Sequence, residues 1–160
     1  MVCSLMADSG LPPAGRCANA LTYATDSASA CFSRLACRSP YSVGGEGGAT
    51  EVRARQLGIQ HCLVGVKDKL QALEVLQREL NIAPVDTVFI GDDLNDLAVR
   101  PLVGLLVAPA DACAPMRHRA DLVLRGCGGH GAVRELAEKT LRARDEWSEL
   151  QREGWRDCNE

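Results

Sequence analysis

The sequence contains no uninterrupted apolar run of the ~18–20 residues that a membrane-spanning helix requires. It also has no excess of positive charge, because 18 Lys and Arg stand against 21 Asp and Glu and give a formal net charge of −3. Proteins that bind along a nucleic acid backbone normally carry such an excess. The composition therefore argues against a membrane protein and against a nucleic-acid-binding protein.

Cysteine is present, but its spacing predicts neither a metal site nor a redox site. The eight cysteines include no Cys-x-x-Cys pair, which is the spacing typical of zinc sites and thioredoxin-like motifs. The first residues show no basic start followed by a long apolar stretch, so no secretory signal is indicated. We therefore expect reduced thiols and a cytoplasmic protein.

The chain divides into parts of different texture. Residues 1–44 are rich in Ala, Ser, Gly and Cys and have little hydrophobic periodicity, so we expect them to be irregular. Residues 45–153 alternate short apolar runs with amphipathic stretches, and we expect residues 154–160 to fray. At 160 residues the chain is long enough for one ordinary domain.

The second part predicts an α/β fold. Alternating strand and helix periods are typical of a Rossmann-like, doubly wound parallel sheet, whose ligand site lies beyond the carboxyl ends of the strands. The predicted elements are helices at 50–57, 69–80, 94–100, 112–119 and 132–151 and strands at 61–66, 87–90, 104–108 and 121–124. Asp68 has the chemistry of an N-cap for helix 69–80. The predicted buried face of that helix consists of Leu70, Leu73, Leu76 and Leu80.

An acidic cluster follows the predicted strand 87–90. Asp92, Asp93 and Asp96 lie within five residues, where the strand gives way to a helix. Three carboxylates this close repel one another, and a cation such as Mg²⁺ would offset their charge. Aspartate is also a common helix-capping residue. The cluster alone therefore predicts metal binding and helix capping about equally.

Lys69 lies one strand–helix unit before this cluster. It opens the helix that follows strand 61–66, so in a parallel sheet it emerges at the same edge as Asp92. There it could hold a phosphoryl oxygen and balance the carboxylate charge. The alternative is an ordinary solvated lysine in a first helical turn, where it would oppose the helix dipole.

Four motifs carry a resemblance to a known family; in order they are VKDKLQAL, TVFIGDDLNDL, VGLLVAPADA and GCGGHGAVREL. From about residue 45 to residue 141 the chain resembles the 3-deoxy-manno-octulosonate 8-phosphate phosphatases of the haloacid dehalogenase superfamily. This resemblance implies the haloacid dehalogenase type of α/β fold, a Mg²⁺-dependent phosphomonoesterase that acts on a sugar-acid phosphate, and a homotetramer. The chain also resembles the C-terminal phosphatase-like domain of acylneuraminate cytidylyltransferases, and the alternative is therefore a non-catalytic oligomerisation domain.

The resemblance also implies roles for four of the residues above. Lys69 matches the family lysine that steadies the phosphoaspartyl group, and Asp92 matches the Mg²⁺-binding carboxylate. Asp93 and Asp96 match the supporting acidic positions. On this resemblance we expect Asp92 and Asp93 to be metal-binding residues and Lys69 and Asp96 to be catalytic residues.

The glycine-rich loop 126–131 supplies two further candidates. In the family this loop is implied to approach the active site of its own or a neighbouring subunit, and here His130 replaces a family arginine. A protonated histidine can donate a hydrogen bond to a phosphate. His130 and Arg134 are therefore candidate substrate-binding residues, and the alternatives are a plain glycine turn and a solvated helix arginine.

The first part of the sequence departs from the family pattern. The family nucleophile and its acid/base are two aspartates in a DxDGxxT segment, which this sequence does not contain. The family phosphate-binding Ser or Thr is also missing, because the matching positions are Gly44, Gly45 and Glu46. Hydrolysis through a phosphoaspartate needs the nucleophile together with the lysine and the metal. We therefore expect little turnover from this chain, and the choice between enzyme and non-catalytic domain stays open.

Overall fold

The computed structural model describes residues 61–153 continuously. Before them it describes only Val2–Cys3, Cys17–Ala18, Cys37–Arg38, Pro40–Val43, Val52 and Arg55. Most of the predicted parts 1–44 and 154–160 lies outside these residues, so the division of the chain stays a prediction. Within the residues described, no helix is long and apolar enough to cross a membrane.

From His61 to Ala143 strands alternate with helical segments, as predicted. The strands are β1 Val2–Cys3, β2 Cys17–Ala18, β3 Cys37–Arg38, β4 Pro40–Val43, β5 His61–Val64, β6 Val88–Ile90, β7 Leu105–Ala108 and β8 Leu122–Val123. The helices are α1 Lys69–Leu80, α2 Ala114–Arg119, α3 Ala132–Ala143 and α4 Trp147–Glu153, with 3₁₀ helices at Pro84–Asp86 and Leu94–Leu102. Val52 and Arg55, within the predicted helix 50–57, are helical. The mixed α/β fold is confirmed.

The main sheet has the strand order β1-β6-β7-β8. Strands β6, β7 and β8 are parallel, so their carboxyl ends share one edge. β1 pairs with β6 in the antiparallel direction. Strand β5 pairs in parallel with β4 in a separate ladder. β1 contacts both β6 and β4 and thus lies between the two ladders.

Helix α1 buries a slightly different face from the one predicted. Leu73 and Leu76 are buried as expected, but Leu70 is 37% exposed, so its predicted burial was wrong. Gln77 is buried instead. Its burial is tolerated because its Nε2 donates hydrogen bonds to Thr87 Oγ1 and to the carbonyl of Leu102, each at 2.7 Å. The observed stripe keeps the helical period but is rotated away from the first turn, which faces the edge of the sheet.

The last predicted helix, 132–151, is two helices. Asp145 has a left-handed backbone with φ of 58°, which interrupts the helix between α3 and α4. The interruption lets Trp147 turn back against α3, where the Arg142 and Arg134 guanidiniums lie 5.1 and 6.0 Å from its ring centroid. Cation–π contacts stabilise this reversal of the chain. The hydrophobic periodicity of the sequence does not predict the reversal.

Candidate active site

The candidate site lies at the carboxyl edge of β6 and β7, beside the first turn of α1. The helix begins at Lys69 because Asp68 caps it, with Asp68 Oδ1 accepting a hydrogen bond from Gln71 N at 3.0 Å. Lys69 Nζ forms a hydrogen-bonded ion pair with Asp96 Oδ1, although the two residues are 27 positions apart. The expectation that Lys69 and the acidic cluster share one edge is therefore confirmed.

Asp96 is the buried centre of this arrangement. Its side chain is 2% exposed, and its second oxygen, Oδ2, accepts hydrogen bonds from the backbone N–H groups of Asp92 at 3.0 Å and Asp93 at 3.2 Å. One carboxylate thus fixes the lysine of α1 and the loop that follows β6. Such a fully engaged carboxylate positions other groups rather than facing a ligand.

The electrostatics of the pair favour the ionised form of Asp96. Burial raises its pKa, because a buried carboxylate loses hydration. Nearby positive charge, including that of Lys69, and the hydrogen bonds from Lys69 and from the Asp93 backbone lower it by more. The net pKa lies below the ordinary value of 3.8, so Asp96 is a carboxylate at neutral pH.

The other two aspartates differ in their contacts. Asp93 Oδ1 accepts a hydrogen bond from Leu94 N at 2.7 Å, and with Asp96 it forms the capping box of the 3₁₀ helix Leu94–Leu102. The helix-capping interpretation therefore holds for Asp93. The carboxylate of Asp92 is exposed and has no partner among the residues described, while its backbone carbonyl accepts from Cys113 N at 2.8 Å.

These contacts determine which of the three aspartates could bind a Mg²⁺ ion at the carboxyl edge of the sheet. Within the described residues, no three acidic, His or Cys side chains are grouped so that they could enclose a metal. Mg²⁺ keeps several waters, however, and is bound through only one or two protein carboxylates. Asp92 suits that requirement, whereas Asp93 has one oxygen engaged in capping and Asp96 is committed to Lys69.

The loop 126–131 lies against the turn that follows β7. Ala110 N donates to the Gly126 carbonyl at 3.0 Å, and Asp111 Oδ1 accepts from Gly128 N at 2.7 Å. Because the same turn contacts Asp92 through Cys113, the loop is at the edge where the site was expected. His130 is exposed, with Nδ1 3.0 Å from the Gly128 carbonyl oxygen, and its role in substrate binding stays a prediction.

Arg134 is engaged within the α3–α4 pair. Its Nε donates to Glu138 Oε1 at 2.7 Å, one helical turn away, and its guanidinium lies over Trp147. These contacts give the side chain a packing role beside α4. Its predicted contact with a substrate anion is not among them.

Two residues of the site were missed by the sequence reasoning, Asp111 and Glu135. Glu135 Oε2 accepts from the backbone N–H groups of Arg125 at 2.8 Å and Gly126 at 2.9 Å, so it holds the start of the loop. Asp111 holds its middle. Asp111 lies in the motif VGLLVAPADA and Glu135 in GCGGHGAVREL. Only Glu135 had a signal in the sequence, its position just after the glycine-rich loop.

The chain resembles known proteins in both sequence and fold. The sequence pattern of the haloacid dehalogenase-like hydrolases matches residues 63–134. The 3-deoxy-D-manno-octulosonate 8-phosphate phosphatase of Escherichia coli is 44% identical over 99 residues, which are 62% of this chain and 53% of that protein. A structure from Pseudomonas syringae, described as a probable YrbI family phosphatase, is 32% identical with a TM-score of 0.76, covering 79% of this chain and 72% of that one. The chain belongs to the haloacid dehalogenase-like hydrolases.

Within these hydrolases, the resemblance to the 3-deoxy-manno-octulosonate 8-phosphate phosphatases is confirmed. The structure of such a phosphatase from Moraxella catarrhalis, in complex with magnesium, phosphate and 3-deoxy-manno-octulosonate (KDO), superposes with a TM-score of 0.76 at 29% identity. It covers 79% of this chain and is itself covered to 73%. The chain spans about half the length of the curated relatives it matches.

Proposed function

We propose that this chain belongs to a Mg²⁺-dependent phosphomonoesterase for a sugar-acid phosphate such as 3-deoxy-manno-octulosonate 8-phosphate, with the DxDGxxT nucleophile segment missing from the sequence. The observation that supports this most is the ion pair between the partly exposed Lys69 and the buried Asp96, beside the exposed carboxylate of Asp92. The Escherichia coli relative is named as a phosphatase of that substrate. The Moraxella catarrhalis relative contains magnesium, phosphate and KDO together.

Lys69 would bind and orient the phosphoryl group. An ammonium group has three N–H donors, and Asp96 accepts from Lys69 on the side facing the protein. The remaining donors can serve phosphoryl oxygens, whose negative charge the lysine would stabilise. Asp96, predicted as a catalytic group, would act instead by holding Lys69 and the loop that carries Asp92.

Asp92 would hold the Mg²⁺ ion. When bound, Mg²⁺ supplies positive charge that neutralises phosphoryl oxygens. The hydrogen bonds from Asp92 N to Asp96 and from Cys113 N to the Asp92 carbonyl fix the backbone on both sides of this carboxylate. Asp93 would support the site by capping the following 3₁₀ helix.

We further propose a cytoplasmic homotetramer. In the part of the chain that the structure describes, Cys113 and Cys127 are not in disulfide bonds, which suits a reducing compartment. The alternative, a non-catalytic oligomerisation domain related to acylneuraminate cytidylyltransferase, is not favoured by the comparisons, whose relatives are phosphatases.

Phosphate release from 3-deoxy-manno-octulosonate 8-phosphate tests the proposal. The chain alone with Mg²⁺ should release phosphate near the background rate, because it lacks the nucleophile segment. A fusion that places the family DxDGxxT strand before residue 45 should hydrolyse the substrate. In that fusion Lys69→Ala and Asp92→Asn should each abolish turnover, whereas Lys67→Ala, a change at a neighbouring exposed lysine, should not.

Two results would contradict the proposal. Robust Mg²⁺-dependent turnover by the unmodified chain would show that another residue is the nucleophile. A folded, active fusion that is indifferent to Asp92→Asn would show that Asp92 does not hold the metal.

A further inference from the structure

We propose that Asp111 is a positioning residue that orders the glycine-rich loop 126–131 before an anion binds there. The inference rests on the proposed function in one respect, namely that the anion is the phosphate group of the substrate. It assigns no contact between Asp111 and the substrate. Its basis is the set of hydrogen bonds that joins the loop to the segment carrying Asp92.

Asp111 connects two segments that are distant in sequence. Its Oδ1 accepts from Gly128 N at 2.7 Å, 17 positions along the chain. In the same turn, Cys113 N donates to the Asp92 carbonyl at 2.8 Å. The position of the loop relative to the candidate metal ligand is therefore set through Asp111 and its turn.

The loop benefits from such a contact because it is rich in glycine, which loses more conformational freedom on ordering than any other residue. Gly129 and Gly131 have left-handed φ values of 70° and 95°, and Gly128 precedes them. Each unconstrained residue loses conformational entropy when it is ordered, which weakens binding unless the loop is ordered beforehand. Glu135 holds only the start of the loop. In the described part of the chain, Asp111 is the side chain from another element that binds its middle.

Because Asp111 is negatively charged, the direction in which phosphate affinity changes when it is replaced tests the inference. A carboxylate near an anion site repels the anion, so electrostatics alone predicts that removing Asp111 strengthens phosphate binding. Positioning predicts the opposite, because the loop loses its hydrogen bond. Asp111→Asn keeps an oxygen that accepts from Gly128 N and removes the charge, and it therefore separates the two effects.

The experiment titrates the full chain with inorganic phosphate. Binding is measured from the changes in the ¹⁵N amide chemical shifts of Gly128 and His130. Asp111→Ala should weaken phosphate binding about tenfold, as expected for loss of one charge-assisted hydrogen bond. Asp111→Asn should bind within about twofold of the unmodified chain or more tightly. Glu79→Ala, which removes one exposed negative charge on α1, should leave the affinity unchanged.

Amide heteronuclear NOE values in the absence of phosphate decide the inference independently. They should fall at Gly128 and Gly129 in Asp111→Ala and stay unchanged in Asp111→Asn, with unaltered melting temperatures. An ordered loop in Asp111→Ala, or phosphate binding by that variant that is unchanged or tighter, would overturn the positioning role. If the unmodified chain bound no phosphate, the proposed function would fail, while the NOE comparison would still decide the role of Asp111.

Discussion

Gly91 and Asp96 approach so closely that a β-carbon on Gly91 would lie 2.5 Å from the β-carbon of Asp96 and 2.7 Å from its Oδ2. Nonbonded carbon atoms pack at about 3.5–4.0 Å, so only glycine fits at this position. The reason is the path of Asp96, which folds back over Gly91 to reach Lys69 and the Asp92 backbone. The glycine after β6 is therefore part of the site.

Gly91→Ala should lower the free energy of unfolding by about 1–3 kcal/mol, because the added methyl group displaces a buried carboxylate. Urea denaturation followed by circular dichroism measures this change. Gly128→Ala is the matched control, since a β-carbon there would meet Asp111 Oδ1 at an ordinary 3.6 Å. Equal stabilities of the two variants would contradict the close approach of Gly91 and Asp96.

The Lys69–Asp96 pair should show strong coupling in a double-mutant cycle. Lys69→Met leaves the buried carboxylate of Asp96 without its cation and should cost about 3 kcal/mol. With Asp96→Asn in place, the same lysine change should cost much less. Urea unfolding of the four proteins gives the coupling energy, with Lys67→Met as the exposed-lysine control. Additive effects would mean that the pair contributes no net interaction.

Stability should fall in acid partly through Asp96. Its pKa is lower in the folded chain than the ordinary 3.8, so the unfolded chain binds a proton more readily. The stabilisation is therefore present above pH 3.8 and is lost as the pH falls through the folded pKa below it. Unfolding free energies measured from pH 7 to pH 3 with EDTA should decline less steeply in Asp96→Asn. Identical slopes would argue against a depressed Asp96 pKa.

His130 and Arg134 should differ in phosphate binding. His130→Ala should weaken the affinity for inorganic phosphate about three- to tenfold, because it removes the imidazole hydrogen-bond donor from the loop. Arg134→Met should leave that affinity within about twofold and instead lower stability by about 0.5–1 kcal/mol, since it removes the contacts with Glu138 and Trp147. Isothermal titration and urea unfolding separate the two effects. A larger loss of phosphate affinity in the Arg134 variant than in the His130 variant would support a substrate-binding role for Arg134.

Much of the fold could be predicted because its signals are local. Helix α1 begins and ends where the Asp68 N-cap and the leucine period place it. The short apolar runs gave β6 and β7 to within a residue. The break before α4 could not be predicted, because it depends on Trp147 packing against two arginines of the preceding helix.

The sequence by itself determined the α/β class, the family and the edge at which Lys69 meets the acidic cluster, because alternating periods and parallel strands bring those segments together. Only the tertiary structure decided which environment each of the three aspartates occupies. Asp96 is buried and paired with Lys69, Asp93 caps a helix, and Asp92 is exposed. A carboxylate suits all three environments equally well. The environment of each aspartate depends on contacts with residues far away in the chain, and the local spacing of the aspartates does not predict those contacts.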